Sequence, residues 1–311
     1  MNQRYPLLLS PVTKDYLWGG TRLKTEYGFE SAQEKVAEGW MLTSRKDGVN
    51  RVLNGCYAGE GLDTVLKAWG VAEPFPLLIK LIDAQDRLSV QVHPDDAYAW
   101  EHEGEYGKTE MWYVVDAEPN ATLAYGFTRE LTRDELRERI QNDTLHEVIR
   151  YVPVKAGDAL FIPAGMLHAI GKGILIAEVQ QNSNTTYRVS DYGRVGADGK
   201  PRELHVDKAV DVMTLLPSVP STNDRAAVRR YGTERVLADC AYFKAVHLCL
   251  NGEKPLDGMA TFVSVLVLDG TAELISDTET LFLNKGDSVL VPQGCIATLR
   301  GKATVLLSSP N

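Results

Sequence analysis

The stretch "KAGDALFIPAGMLHAI", residues 155–170, recurs near the end of the chain as "NKGDSVLVPQGCIATL", residues 284–299. Aligned, the two copies share Gly157/Gly286, Asp158/Asp287, Pro163/Pro292 and Gly165/Gly294, with apolar runs between. Each has the form Gly-x5-Pro-x-Gly, which reads as strand, tight turn, strand. Gly-Asp turns into the strand, Pro ends the run, and the second Gly permits a positive φ at the next turn. Either copy alone is ordinary turn chemistry, but the matched spacing points to two related β modules. The copies differ where chemistry is at stake: His168 in the first is Ala297 in the second.

The remainder of the chain fits that frame. "PLLIKLID", "LSVQVH", "MWYVVD", "ILIAEVQ", "TFVSVLVLDG" and "TLFLN" are short runs rich in Val, Ile, Leu and aromatics. Gly, Pro, Asp or Asn bound them, as expected of strands in a sandwich or barrel. Helical patterns are fewer: "GLDTVLKAW", "DDAYAWEH", "TRDELRERIQ" followed by "TLHEVI", and "LHVDKAVDVMTLL". Thr132 with Glu135 three residues on is a capping box. A tract with two prolines and several small polar residues, "LLPSVPSTNDRAAVRR" at 215–230, reads as a linker. The expected division is therefore a first, helix-decorated β domain over 1–225 and a smaller β domain over 226–311.

With 311 residues the chain can bury one large or two ordinary cores. Its net charge of -9 argues against a nucleic-acid or anionic-membrane partner, which would meet a basic face. A few local Lys and Arg could still bind a small anion. Cys56, Cys240, Cys249 and Cys295 are widely spaced with no Cys-x-x-Cys, so neither a disulfide framework nor a thiolate zinc site is expected. No signal peptide or membrane-spanning run is evident, and a cytoplasmic location is the expectation.

Candidate chemistry gathers around His168. In "SVQVHPDD", Ser89, Gln91 and His93 alternate along a strand and so share one face. The opposite face (Leu88, Val90, Val92) is apolar. If both faces are covered, the polar stripe needs partners. In "GKTEMWYVV", Glu110 opens an apolar run with Lys108 two residues before it. His93, Glu110 and His168 then make a His-Glu-His set with Gln91 to spare. Nitrogen and oxygen ligands that leave positions open suit a catalytic zinc, and imidazole with carboxylate also suits Fe(II). Lys80 lies inside the apolar "PLLIKLID", where an unpaired ammonium is costly and an anionic partner such as a phosphate is expected. His102, His146, His205 and His247 fit structural roles.

Gly157-x5-Pro163-x-Gly165-x2-His168 resembles the second cupin motif. The whole set resembles the type I mannose-6-phosphate isomerase (phosphomannose isomerase) family in its short bacterial form. The resemblance covers nearly the full chain, through "YLWGG" (16–20), Glu38 and Trp40, "LSVQVHPDD", "GKTEMWYVV", "FIPAGMLHAI" and "EVQQNSNTTYRVSDYGR" (178–194). It implies two cupin-like jelly-roll β-barrel modules, mainly β, with the few helices inserted in or packed on the first. It also implies one Zn2+ per chain, held by Gln91, His93, Glu110 and His168. Lys80, Ser89 and Trp18 are then associated with substrate or phosphate, and Arg188 and Lys108 with catalysis. The implied reaction interconverts mannose 6-phosphate and fructose 6-phosphate by proton transfer through an enediolate, with Lys108 as the preferred base. Such a protein would act on a small phosphosugar, as a monomer or homodimer. The pattern departs at "EGWMLTS", around Trp40, and at Lys172, where the cupin motif carries Asn. The competing readings are an Fe(II) dioxygenase and a non-catalytic sugar-binding cupin.

Overall fold

The computed structural model describes residues 4–196, 199–220, 226–229, 232–256 and 261–311. A six-stranded antiparallel sheet runs in the order Ala159–Ile162, Glu110–Ala117, Ile174–Gln181, Leu77–Ala84, Glu38–Leu42, Val12–Lys14. A five-stranded sheet runs Ile149–Pro153, Thr122–Phe127, His168–Ile170, Val90–Val92, Tyr187–Ser190. The two share a core in which Ile82, Trp112, Val114, Leu160 and Ile176 of the first meet Leu123, Tyr125 and Ile170 of the second. They form a jelly-roll sandwich, the two-sheet form of the expected barrel.

The larger sheet is covered on both faces. Its other side (Leu77, Ile79, Leu81, Met111, Tyr113, Ala177, Val179) shares a core with Ala245, Leu266, Leu268, Leu290 and Leu306. Those residues belong to an eight-stranded sheet built mostly from strands after residue 225. This is why "PLLIKLID" and "ILIAEVQ" read as unbroken apolar runs: every residue of Leu77–Ala84 and Ile174–Gln181 is buried. Strand Leu7–Leu9 pairs with Ser288–Leu290 and so belongs to the eight-stranded sheet. The expected boundary at 225/226 touches a residue outside the described ones. Part of the expected linker is tied down, because Ser218 donates its backbone N–H to the Phe127 carbonyl.

The repeat is structural in both copies. Gly157 and Gly286 adopt φ of 91° and 93°, and Gly165 and Gly294 adopt 83° and 80°. Asp158 and Asp287 accept the backbone N–H of Lys155 and Asn284 respectively, at 2.9 and 2.7 Å. The Pro163 and Pro292 carbonyls accept from Met166 and Cys295. Strands His168–Ile170 and Ala297–Pro310 follow. His168 and Ala297 are equally buried, but Ala297 sits in a wholly apolar cluster with Val263, Leu274 and Leu299.

Of the expected helices, four form as α-helices: Leu62–Ala68, Asp96–His102, Arg133–Gln141 and Val206–Val212. Thr132 caps the third through Oγ1, which accepts the Glu135 N–H at 3.1 Å, but the reciprocal half of the expected capping box is replaced by ion pairs of the Glu135 carboxylate with Arg129 and Arg139. "TLHEVI" instead forms a single 3-10 turn, Leu145–Glu147, before strand Ile149–Pro153. No helix among the described residues is long and apolar enough to cross a membrane.

His247 joins the sheets. Its ring stacks on Tyr113 at 4.8 Å between centroids, with Nε2 3.0 Å from the Tyr113 hydroxyl. Burial, assisted by Arg235, lowers the imidazole pKa to about 4. The unfolded chain takes up this proton near pH 6.5, so the neutral ring's stabilisation is whole above 6.5 and is lost as pH falls toward 4. Replacing His247 by Gln is expected to flatten the pH dependence of unfolding free energy in that window by about 2 kcal/mol, discounted for partial exposure. Denaturant titrations at pH 7 and pH 4.5 check this; equal slopes in both proteins would contradict it.

Candidate metal centre and substrate cavity

Two rows of side chains face each other across the sandwich. In the six-stranded sheet the register places Trp40 beside Lys80, Lys80 beside Glu178, and Glu178 beside Trp112. In the five-stranded sheet Arg188 lies opposite Gln91, and Gln91 opposite His168. Strand alternation aims both rows inward, and Lys80, Trp112, Glu178, Gln91 and Arg188 line a cavity of about 300 Å³. Tyr16, Trp18, Ser89, Gln91, Lys108 and Arg202 are among its other lining residues.

His93, Glu110 and His168 converge at one end, all buried. The His93 and His168 Nε2 atoms are 3.1 Å apart, and each lies 3.5 Å from a Glu110 carboxylate oxygen. Each ring's Nδ1 is anchored by a backbone carbonyl, His93 by Thr185 at 2.8 Å and His168 by Met166 at 2.9 Å. That contact fixes the tautomer with Nδ1 protonated and turns both Nε2 lone pairs toward the carboxylate. Burial, reinforced by Lys108, lowers the His93 pKa to about 3, and burial also lowers that of His168. Burial alone would raise Glu110; Lys108 and the two histidines overcome it and hold the carboxylate well below its usual range.

This arrangement fits a bound cation. Neither buried Glu110 oxygen receives a hydrogen bond. Two neutral imidazole lone pairs in contact repel unless a positive centre lies between them. Two nitrogens and a carboxylate oxygen suit a borderline divalent ion. Gln91 is adjacent, with Nε2 3.3 Å from His168 Nε2 and Oε1 accepting from Ser89 at 3.3 Å. Rotation of its amide by 180° would turn the oxygen toward the cluster.

The other expected residues also meet here. Lys108 Nζ is buried, 3.0 Å from Glu110 Oε2. Trp18 is buried and stacks on Tyr16 at 5.4 Å. Arg188 donates from Nη1 to the Glu203 carbonyl at 3.0 Å, and its buried Nε has no hydrogen-bond partner. Burial and then Arg202 lower its pKa. For Lys80 the premise of an unpaired charge does not hold. Its Nζ lies 3.4 Å from Glu38 and 3.4 Å from Glu178, and each carboxylate is fixed by an indole N–H, from Trp40 at 2.7 Å and Trp112 at 2.8 Å. Burial would strip the ammonium's proton; the two carboxylates more than offset it and raise its pKa.

Glu178 and Arg202 line the cavity without having been singled out from the sequence, and Glu38, marked there only as part of a family-like motif, lines it too. Glu178 was legible in principle: Ile174, Ile176, Glu178 and Gln180 alternate, so a carboxylate follows two core residues on one face. Arg202 lies outside any regular element and carries no such periodic mark.

Residues 7–125 match the model of the phosphomannose isomerase type I catalytic domain, and residues 233–310 that of the mannose-6-phosphate isomerase cupin domain. The chain is 39% identical to a mannose-6-phosphate isomerase of Streptococcus mutans, over 92% of each chain. It is 40% identical to mannose-6-phosphate isomerase ManA of Bacillus subtilis, over 93% of each. A crystal structure of the Bacillus subtilis mannose 6-phosphate isomerase superposes with a TM-score of 0.90 at 37% identity, covering 98% of this chain and 100% of that one. A putative mannosephosphate isomerase from Archaeoglobus fulgidus, 19% identical with a TM-score of 0.75, shares the fold. Matched by both domain models and alike to these relatives over nearly its whole length, the chain belongs to the type I mannose-6-phosphate isomerase family.

Proposed function

We propose that this protein interconverts mannose 6-phosphate and fructose 6-phosphate, with zinc as its metal. The observation that carries the reading is the buried His93–Glu110–His168 cluster beside a cavity lined by Gln91, Lys108 and Arg188, with Lys108 3.0 Å from Glu110 and Gln91 3.3 Å from His168. Its setting is a chain about 40% identical to named mannose-6-phosphate isomerases. His93, Glu110, His168 and the amide oxygen of Gln91 would hold the ion, one per chain. When bound, zinc supplies a Lewis acid that polarises the sugar carbonyl and offsets the negative charge developing on its oxygen.

The chain's own groups supply the rest. Lys108 Nζ, acting as the neutral amine, takes the proton from C2 of the open-chain aldose and, as the ammonium so formed, returns it to C1, since it faces the cavity beside the ligand carboxylate. Arg188, placed opposite Gln91, offers a permanently charged planar fork to oxygens near the reacting carbons. Trp18, Ile82, Leu88 and Ile170 supply apolar wall that keeps water from the exposed carbanion. Lys80 and Ser89, also on the wall, bind sugar hydroxyls. The unit over 1–225 carries the catalytic groups, and the unit over 226–311 is a metal-free support.

The test gives metal-replete protein mannose 6-phosphate and follows fructose 6-phosphate together with dissolved oxygen. Ketose formation without oxygen uptake is expected. Oxygen consumption, or stoichiometric binding without turnover, would overturn the assignment.

A further inference from the structure

The two histidines of the metal cluster are anchored to different kinds of backbone. The Met166 carbonyl that holds His168 lies in the closed turn of the repeat, where the Met166 N–H donates to the Pro163 carbonyl at 3.1 Å. The Thr185 carbonyl that holds His93 lies in the irregular segment 182–186. That segment crosses from strand Ile174–Gln181 of the six-stranded sheet to strand Tyr187–Ser190 of the five-stranded one. No strand ladder fixes it, and the Thr185 N–H donates to the Ser183 hydroxyl oxygen at 3.2 Å instead. Side chains must therefore set where this carbonyl points.

Glu105 and Arg45 supply that hold. Thr185 Oγ1 donates to Glu105 Oε2 at 3.1 Å. The other carboxylate oxygen pairs with Arg45 Nη1, which also donates to the Asn182 carbonyl at 3.1 Å. Arg45 Nε reaches Asp47 at 2.9 Å, and Asp47 in turn accepts the Asn184 amide at 3.1 Å. Two carboxylates bridged by one guanidinium thus grip the segment at residues 182, 184 and 185. Two residues before Glu105, Glu103 accepts the Tyr187 hydroxyl at 2.7 Å. The chain after Glu105 leads directly to Lys108 and Glu110. There the Thr109 N–H donates to Gln181 Oε1 at 2.8 Å, and the Gln181 N–H donates to the Thr109 carbonyl at 3.1 Å. The segment that carries Glu110 and the segment that anchors His93 are therefore tied twice, by Thr109 with Gln181 and by Glu105 with Thr185. Arg45 and Glu105 line surface hollows apart from the substrate cavity, whereas Asn184 and Thr186 line that cavity.

We propose that Glu105, braced by Arg45, is a positioning residue for the metal: by holding Thr185 it aims the carbonyl that orients His93. This rests on the metal reading above and on no particular substrate. A histidine ligand takes its tautomer and orientation from the partner of its second ring nitrogen, so a misaimed partner weakens the ligand without removing it. Glu105 acts through Thr185 and touches neither substrate nor ion.

The experiment compares wild type, Glu105→Ala, Thr185→Val and Thr185→Ser by two readouts that need no turnover. One is Zn2+ affinity, from competition with a chromophoric chelator. The other is the visible absorption spectrum of the Co2+-loaded protein, which reports ligand geometry at the ion. Glu105→Ala and Thr185→Val should each weaken zinc binding by about 10-fold, the lower end of the loss for a direct partner of a ligand histidine, and both should alter the cobalt spectrum. Combining them should weaken zinc no further than Glu105→Ala alone, since both break one contact. Thr185→Ser keeps the hydroxyl and should recover wild-type affinity and spectrum. Thr185→Val keeps the side chain's shape, and Gln180 Nε2 still donates to the Ser183 carbonyl at 2.7 Å, so this variant tests the contact even where Glu105→Ala fails to fold. Wild-type affinity and spectrum in the Glu105→Ala and Thr185→Val proteins overturn the proposal, whatever the loss of stability, because a merely structural ion pair gives that result. A loss confined to Glu105→Ala overturns the route through Thr185. Wild type that takes up neither ion overturns the metal reading and this inference with it.

Discussion

Replacing His168 by alanine is expected to release the metal and to lower turnover at least ~1000-fold, the equivalent of several kcal/mol of charge stabilisation. The fold should survive, because Ala297 occupies the corresponding position of the second repeat, buried to the same degree after a turn with matching φ angles. That internal comparison makes the variant informative, since the backbone makes this turn with either residue. The loss is then assignable to Nε2, which the Met166 carbonyl aims at Glu110. Metal content by elemental analysis and far-ultraviolet circular dichroism check both halves of the statement. Full activity with metal retained would remove His168 from the ligand set.

Replacing Lys108 by methionine is expected to abolish exchange of the C2 proton with solvent, lowering turnover by about 100- to 10,000-fold while metal stays bound. Lys108 Nζ is the cation nearest Glu110, at 3.0 Å. Removing it leaves the carboxylate more negative and so, if anything, a stronger ligand. A residue that only balanced Glu110 would therefore shift metal affinity and spare the exchange rate. Persistent exchange in deuterated water, with metal bound, would place the base elsewhere.

The sequence made the local grammar of this protein readable but not its cross-strand geometry. The paired Gly-x5-Pro-x-Gly phrases, the Thr132 cap and the Ser89/Gln91/His93 alternation each follow from residues a few positions apart, and all three appear as expected. The rows Trp40–Lys80–Glu178–Trp112 and Arg188–Gln91–His168 depend on register between strands distant in sequence, which no local pattern encodes. That is why Lys80 read as an ammonium in need of phosphate: its partners, Glu38 and Glu178, lie 42 and 98 positions away. The unbroken burial of Leu77–Ala84 was visible only as an apolar run, and the eight-stranded sheet that covers its second face explains it.

Sugar-phosphate isomerisation is expected to depend on a metal held by His93, Glu110 and His168. The most direct measurement is a coupled assay of fructose 6-phosphate formation from mannose 6-phosphate, run on protein stripped by chelator and titrated with zinc. Turnover rising linearly with added zinc and reaching its plateau at one equivalent per chain is the predicted result. Full turnover in the stripped protein, or none at any zinc level, would contradict it.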